Sequence, residues 1–242
     1  MMQLPPLAPE QVRVWSARLD ADEAQLSACE ALLSDDERER ARRFRRPDLR
    51  RRYSVAHALL RRLLAAQLGT NGADLRFESS PHGKPALRDW PQLRFNLSHA
   101  GDLALYALAW RREVGVDLEP VTPEVEVDAV ARQMFSADEC HALTLLPSDE
   151  RRQAFFRIWT RKEAYVKALG LGLAHPTQWF TVSGWAQDDD ALRHDHGLPD
   201  APQQWRVAGI AIAPGHQAAL AAAGRDWIAI SMPEWLDAAT DF

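Results

Sequence analysis

Two carboxylates stand two residues apart in Gly115-Val116-Asp117-Leu118-Glu119-Pro120. On a strand, residues i and i+2 share a face, so Asp117 and Glu119 present their acids side by side. Like charges this close repel unless something positive lies between them. A hard cation such as Mg²⁺ answers that need, since it takes oxygen ligands and keeps room for substrate phosphates. A second run reads Trp159-Thr160-Arg161-Lys162-Glu163-Ala164-Tyr165-Val166-Lys167, followed by Ala168-Leu169-Gly170. Glu163 and Lys167 are i and i+4 on one helix face, so Glu163 can serve as a third carboxylate and Lys167 can neutralise a phosphate. A third run, Phe95-Asn96-Leu97-Ser98-His99, ends in a hydroxyl and an imidazole suited to a phosphate oxygen. Adjacent strand residues face opposite ways, which disfavours a Ser-His hydrolytic pair. The loop Pro81-His82-Gly83-Lys84-Pro85 lacks the spacing of a Walker A phosphate loop. Alone, each run has a plainer reading: solvated acids at a strand end, a surface Glu–Lys pair, a structural histidine, a turn.

The elements that must position these residues follow from periodicity and capping. Val12 to Arg18 alternates as a strand, and Asp22 to Leu33 reads as a helix. Ser34 is an N-cap with Asp35, Asp36 and Glu37 in the first turn, where the helix dipole favours acids. That helix stops before Pro47. Asp48 is expected to cap the next one, Leu49 to Leu68, which Gly69 closes; Val55, Leu59, Leu63 and Ala66 share its apolar face. Short strands are expected at Asp74–Glu78, Leu93–Leu97, Leu103–Trp110 and Val114–Leu118, with a loop over 79–91. Ser136 opens a capping-box helix to Leu146, and Ser148 is expected to cap a helix from Asp149 to Leu169 closed by Gly170. Strands return at Trp179–Val182, Trp205–Ala213, Gln217–Ala223 and Trp227–Ser231, with 184–203 as a polar surface loop. Helices then strands, twice over, predict an α+β chain of two halves, 1–112 and 113–242.

Composition narrows the classes. The 242 residues are 46% hydrophobic and 26% charged, as in an ordinary globular protein, which excludes wholesale disorder and a disulfide scaffold. No apolar run is long enough to span a bilayer, and Met1 to Glu10 has no apolar signal core. The two cysteines, Cys29 and Cys140, form no CxxC pair, favouring a reducing cytoplasm over a cysteine-held metal. Residues 34–62 carry 11 arginines against five acids, while the chain overall has a net charge of −5. Such a cluster is either a solvated helical face or an anion site. A sequence pI near 5.9 argues against nucleic acid as the anion. Of 29 basic residues only Lys84, Lys162 and Lys167 are lysines.

Taken in order, the Arg-rich segment, Gly-Lys-Pro, Asn-x-Ser-His, Gly-x-Asp-x-Glu and Trp-x-x-Lys-Glu-Ala-Tyr-x-Lys-x-x-Gly resemble the Sfp-type 4′-phosphopantetheinyl transferases. The resemblance covers roughly residues 34–183. It implies a pseudo-two-fold α+β chain of two similar halves, with coenzyme A in the cleft between them. It implies transfer of the 4′-phosphopantetheine arm to a serine of an apo acyl or peptidyl carrier protein, releasing adenosine 3′,5′-bisphosphate. By motif match Asp117, Glu119 and Glu163 are the expected ligands of Mg²⁺, with Mn²⁺ able to substitute. Glu163 is also the expected base, and Lys167 the expected pyrophosphate contact. Ser98 and His99 match phosphate contacts, His82, Gly83, Lys84 and Pro85 the adenine-side loop, and Arg40 and Arg52 the basic positions that hold the nucleotide's phosphates. The chain departs from the pattern at Ala100, where a hydroxyl residue is common, at His82, where an aromatic such as Tyr is common, and at Glu37, where some relatives are basic. A monomer in the cytoplasm, binding neither nucleic acid nor membrane, is expected. A metal-dependent nuclease or phosphatase, and an inactive carrier-protein binder, are the competing readings. The first does not account for Gly-Lys-Pro or Asn-x-Ser-His, and the second does not account for the intact acids.

Overall fold

The computed structural model describes residues 4–186, 188–232 and 234–240. Met1–Gln3, part of the segment expected to carry no signal, lie outside them. The architecture is α+β, as the pattern of elements predicts.

The first sheet has the order β11-β1-β5-β4, from Ile228–Ser231, Gln11–Arg18, Leu103–Trp110 and Leu93–Ala100. One face is covered by α3, Pro47–Leu68, whose Val55, Leu59, Leu63 and Ala66 are all buried, as their spacing predicts. The second sheet has the order β6-β10-β9, from Val114–Pro120, His216–Ala223 and Trp205–Ile210. Its outer face is covered by α6, Ser148–Leu169. The inner faces meet in a shared core. Val12, Val14, Leu105, Ala107 and Ala109 from one sheet pack with Val114, Val116, Leu118, Ala218, Leu220 and Ala222 from the other. Every one of these runs alternates with period two, the signature of one buried strand face. The layers therefore stack as helix, sheet, sheet, helix. The last strand, β11, returns to pair in parallel with β1, and Leu236 and Ala238 pack into the first sheet's core.

Several local readings are corrected. Asp48 does not cap α3; Arg46 holds the N-cap position without a side-chain bond, and Pro47 begins the helix, where its missing N–H costs nothing. Ser148 is likewise inside α6, with Pro147 at the N-cap position. The 79–91 loop contains a strand, β3 at Pro85–Leu87, which pairs with β2 at Phe77–Ser79. The 184–203 region holds β8, Leu192–Asp195, paired with β7, Phe180–Val182, and a single turn of helix at Ala201–Gln204. A helix at Val127–Met134 had no clear capping signal, and its N-cap makes no side-chain bond. The capping box read from Ser136 forms with Glu139, and Ser34, read as an N-cap, proves to make a full capping box with Glu37.

Gly115 fixes the distance between β6 and α6. A Cβ there would lie 2.2 Å from the Ala164 carbonyl oxygen and 2.4 Å from the Ala168 nitrogen, both backbone. The strand thus rests on the helix's own hydrogen-bond ladder, which no other residue permits. Gly115→Ala should destabilise by about 1–3 kcal/mol, the usual range for overpacking, read as a lower midpoint in urea with an unchanged slope.

Candidate functional site

The face of β6 that carries Gly115 also carries Asp117 and Glu119. Because Gly115 lets the strand touch α6, Asp117 comes within an ion pair of Lys167, at 2.6 Å between Oδ1 and Nζ. Lys167 also donates to the Ser98 hydroxyl at 3.1 Å, and that hydroxyl donates to Asp117 Oδ1 at 3.1 Å. Three runs distant in sequence are thereby joined within hydrogen-bond reach. Asn96 braces the junction: its side-chain oxygen accepts the Val116 N–H at 2.9 Å, tying the edge of the first sheet to the edge of the second.

The electrostatics are those of crowded acids. Burial raises the pKa of Glu119, and the Asp117 carboxylate raises it further, against a hydrogen bond from the Trp159 indole and the charge of Lys167. Burial also raises Glu163, again assisted by Asp117 and opposed by Lys167. Asp117 itself is 3% exposed, and its Oδ2 is buried with no hydrogen-bond partner. Such an orphaned oxygen is costly and asks for a positive partner. Among the described residues, no three His, Cys, Asp or Glu side chains already stand close enough together to hold an ion. The donor set nevertheless fits a hard cation: three carboxylates, one with a free buried oxygen, two with proton affinities raised by burial and then by the third.

Beside the acids lies a positive region centred on His99. The surrounding protein desolvates the ring, and His57, Lys167 and Arg52 disfavour its charge further, so its pKa is lowered. Lys167 comes from the second sheet's helix, whereas His57 and Arg52 come from α3, so the Arg-rich segment and the crowded acids border the same place. His57 was not singled out in the sequence; its position one turn after Tyr53, on which it stacks at 4.1 Å between ring centroids, is the signal that pointed to it.

Most of the Arg cluster proves structural. Arg61 is buried, bonds Glu37 at 2.7 Å and donates to the Gly72 and Leu75 carbonyls. Arg50 pairs with Glu30, Arg46 with Asp48, and Arg43 with Glu39. Arg52 is held by Asp102 at 2.7 Å, so an anion there must share it. Arg40 is exposed, with its guanidinium 6.0 Å from the Tyr53 ring centre. In the loop that the resemblance assigns to the adenine side, His82 and Gly83 are exposed, Gly83 in the left-handed region at φ 86°. Pro85 begins β3, and Lys84 turns inward towards α6.

The chain matches the family model described as the 4′-phosphopantetheinyl transferase superfamily over residues 113–223. A second model, 4′-phosphopantetheinyl transferase, N-terminal, matches residues 17–110. It is 40% identical over 171 residues to 4′-phosphopantetheinyl transferase HetI of Nostoc sp., covering 69% of this chain and 72% of that one. It is 28% identical over 197 residues to 4′-phosphopantetheinyl transferase Sfp of Bacillus subtilis, covering 81% of this chain and 85% of that one. A crystal structure of Thermotoga maritima holo-[acyl-carrier-protein] synthase is similar at 20% identity and a TM-score of 0.36, over 47% of this chain and 63% of that one. The chain belongs to the 4′-phosphopantetheinyl transferase superfamily. It is an enzyme that transfers the phosphopantetheinyl group to carrier proteins.

Glu37, where the sequence departs from some relatives, is a hub beside this site. Burial would raise its carboxyl, but hydrogen bonds from His57 and the Ser34 N–H, with the charges of Arg61 and His57, bring its pKa down to about 2. A lowered carboxylate stabilises the fold above its unfolded pKa, and that stabilisation is lost as pH falls through the folded value. Glu37→Gln should therefore lose on the order of 2–3 kcal/mol at pH 7. The gap to the unmutated protein should close between about pH 4.5 and pH 2, followed by denaturant melts across that range.

Proposed function

We propose that the donor is coenzyme A, bound between the halves 1–112 and 113–242, and that Asp117, Glu119 and Glu163 hold Mg²⁺, or Mn²⁺ in its place. The observation that carries this reading is the junction of Ser98, Asp117 and Lys167 within 3.1 Å, with the orphaned Asp117 Oδ2 beside Glu119 and Glu163. The bound cation would supply positive charge to offset the negative charge growing on the leaving phosphate.

This chain's own residues supply the rest. An ammonium has three N–H donors; Lys167 spends one on Ser98 and one on Asp117. The third is available for a pyrophosphate oxygen, and Ser98 and His99 border the same place. Arg40, exposed, and Arg52, shared with Asp102, extend the positive region for the remaining phosphates. The exposed backbone of His82 and Gly83, ending at Lys84 and Pro85, offers the adenine side. Glu163, with its proton affinity raised by burial and Asp117, accepts the proton of the carrier serine. The serine oxygen bonds to the phosphorus that bears the pantetheine arm. The phosphoanhydride bond on its other side breaks, and adenosine 3′,5′-bisphosphate leaves with that bond's electron pair. Among the described residues no helix is long and apolar enough to cross a membrane. The proposed enzyme is a cytoplasmic monomer that needs neither lipid nor nucleic acid; the family resemblance supports this reading, and the net charge of −5 weighs against nucleic acid as a partner.

Incubating the protein with Mg²⁺, coenzyme A and an apo acyl or peptidyl carrier should add the mass of one phosphopantetheine to the carrier. Transfer that persists undiminished in a chelator would remove the metal from the scheme. Glu163→Gln keeps the size but removes the charge and the base. Its rate should fall by roughly 10²–10⁴ while coenzyme A still binds, checked by initial rates and by calorimetry. An unchanged rate would leave Glu163 as a helix-surface acid.

A further inference from the structure

We infer that Lys84 is a positioning residue for the transfer: a strut whose ammonium locks the C-terminal end of α6 and the start of β6 to the Gly83-Lys84-Pro85 loop, rather than a ligand of the donor's phosphates. The inference rests on the function proposed above, and it departs from the adenine-side role that the motif alone implies for this side chain.

The Lys84 ammonium is already committed. It bonds Glu113 Oε2 at 2.7 Å and the Ala168 carbonyl at 2.8 Å, and its side chain is 14% exposed. The Ala168 carbonyl is one of the last four in α6, which have no partner within the helix. A cation there satisfies an orphan acceptor and meets the negative end of the helix dipole. Glu113 is gripped from its other side by Arg94, at 3.1 Å to Oε1. Burial lowers the Lys84 pKa, and the bond that Lys84 donates to Glu113 opposes that loss of charge.

The stem of Lys84 is as confined as its tip. A Cβ on Gly170 would stand 2.9 Å from Lys84 Cδ. Gly170 is thus required both for its left-handed φ of 69° and for the space through which Lys84 passes. The loop that presents Lys84 is itself closed. The Lys84 N–H donates to the Ser80 hydroxyl at 3.0 Å, the Ser80 N–H to the Lys84 carbonyl at 2.8 Å, and the Gly83 N–H to the Ser80 carbonyl at 2.9 Å.

What the strut holds is the catalytic register. Gly115, Asp117 and Glu119 alternate along β6 and so share the face that meets α6; Glu113, the residue just before the strand, reaches the same helix through Lys84. Glu113 lies four residues from Asp117, about 13 Å along a strand. Ala168 is the neighbour of Lys167. The same two elements are therefore tied twice, by Asp117–Lys167 at one point and by Glu113–Lys84–Ala168 at another, with the Gly115 contact between. One tie would allow β6 and α6 to pivot; two fix their alignment, and with it the placement of Lys167 and Glu163 against Asp117. The strut also walls a cavity of about 220 Å³ lined by Phe95, Arg94, Leu169 and Pro85.

A double-mutant cycle on the full chain tests this, using Lys84→Met, Glu113→Gln and both together. Turnover with an apo carrier, the KM for coenzyme A, equilibrium coenzyme A binding and thermal melting are measured on each. A strut predicts that Lys84→Met lowers kcat about tenfold while coenzyme A affinity changes by less than threefold. It also predicts that Glu113→Gln lowers kcat in the same sense, and that the double variant is no slower than Lys84→Met. A phosphate contact predicts the opposite: Lys84→Met loses tenfold or more in coenzyme A affinity, and Glu113→Gln behaves as the unmutated protein. That pattern overturns the inference, as does an unchanged kcat in Lys84→Met or effects of the two changes that simply multiply. If Lys84→Met does not fold, Glu113→Gln decides alone, with a lowered kcat at unchanged coenzyme A affinity supporting the strut and an unchanged kcat refuting it. An unmutated protein that transfers no phosphopantetheine would instead refute the proposed function. The non-additivity of the two changes in the melting temperature would then still report whether Lys84 and Glu113 act as one unit.

Discussion

The contact of β6 with α6 at Gly115 is the constraint on which the site depends. Strand and helix normally keep side chains between them. Here a residue without a Cβ brings backbone against backbone, and the neighbouring Asp117 is carried close enough to meet Lys167. β6 and the residue before it thus serve three purposes in succession: an anchoring acid at Glu113, just ahead of the strand, a close approach at Gly115, and the paired acids at Asp117 and Glu119. The opposite face, Val114, Val116 and Leu118, belongs wholly to the core between the sheets. Seven residues of strand therefore join a packed interior to a cluster of charged side chains with no intervening loop to blur the geometry.

The charges are organised by cost. A cation withdrawn from water is tolerated where acceptors replace its hydration, and the three lysines show this. Lys162, buried, bonds Glu139 at 2.8 Å and accepts no solvent contact of note. Lys84 bonds Glu113 and a helix end. Lys167, the most open of the three at 31% side-chain exposure, is the one with a donor to spare. The arginines divide in the same way. Arg61 and Arg161 are buried and satisfied largely by backbone carbonyls, so they brace loops; Arg40 stays exposed at the edge of the region around His99.

The acids invert that logic. Asp117, Glu119 and Glu163 are held together against their mutual repulsion, with one Asp117 oxygen unsatisfied. Nothing in the packing requires such an arrangement, since apolar residues at these places would bury more favourably. Strain of this kind clusters at functional sites, where a ligand relieves it. The protein's stability and the function proposed for these acids are in this sense opposed at the same three side chains.

The elements themselves were legible in the sequence, because helix and strand periods are local. The apolar face of α3, the alternation in β1, the N-cap at Ser34, the capping box at Ser136 and the glycine closing α6 all lie within a few residues of what they determine. The shared faces of Asp117 with Glu119, and of Glu163 with Lys167, follow from the same two periods. What the sequence could not decide is which distant group each polar side chain would meet. Arg52 and Asp102 are 50 residues apart, Lys84 and Ala168 are 84 apart, and the β11 strand crosses the whole chain to reach β1. Those partnerships depend on how layers stack and which strand edges abut. Only the tertiary structure therefore turned an Arg-rich run into a mostly structural brace and a loop lysine into a strut. The reason is that ion pairs and backbone contacts act over a few ångströms of space, whatever their separation along the chain.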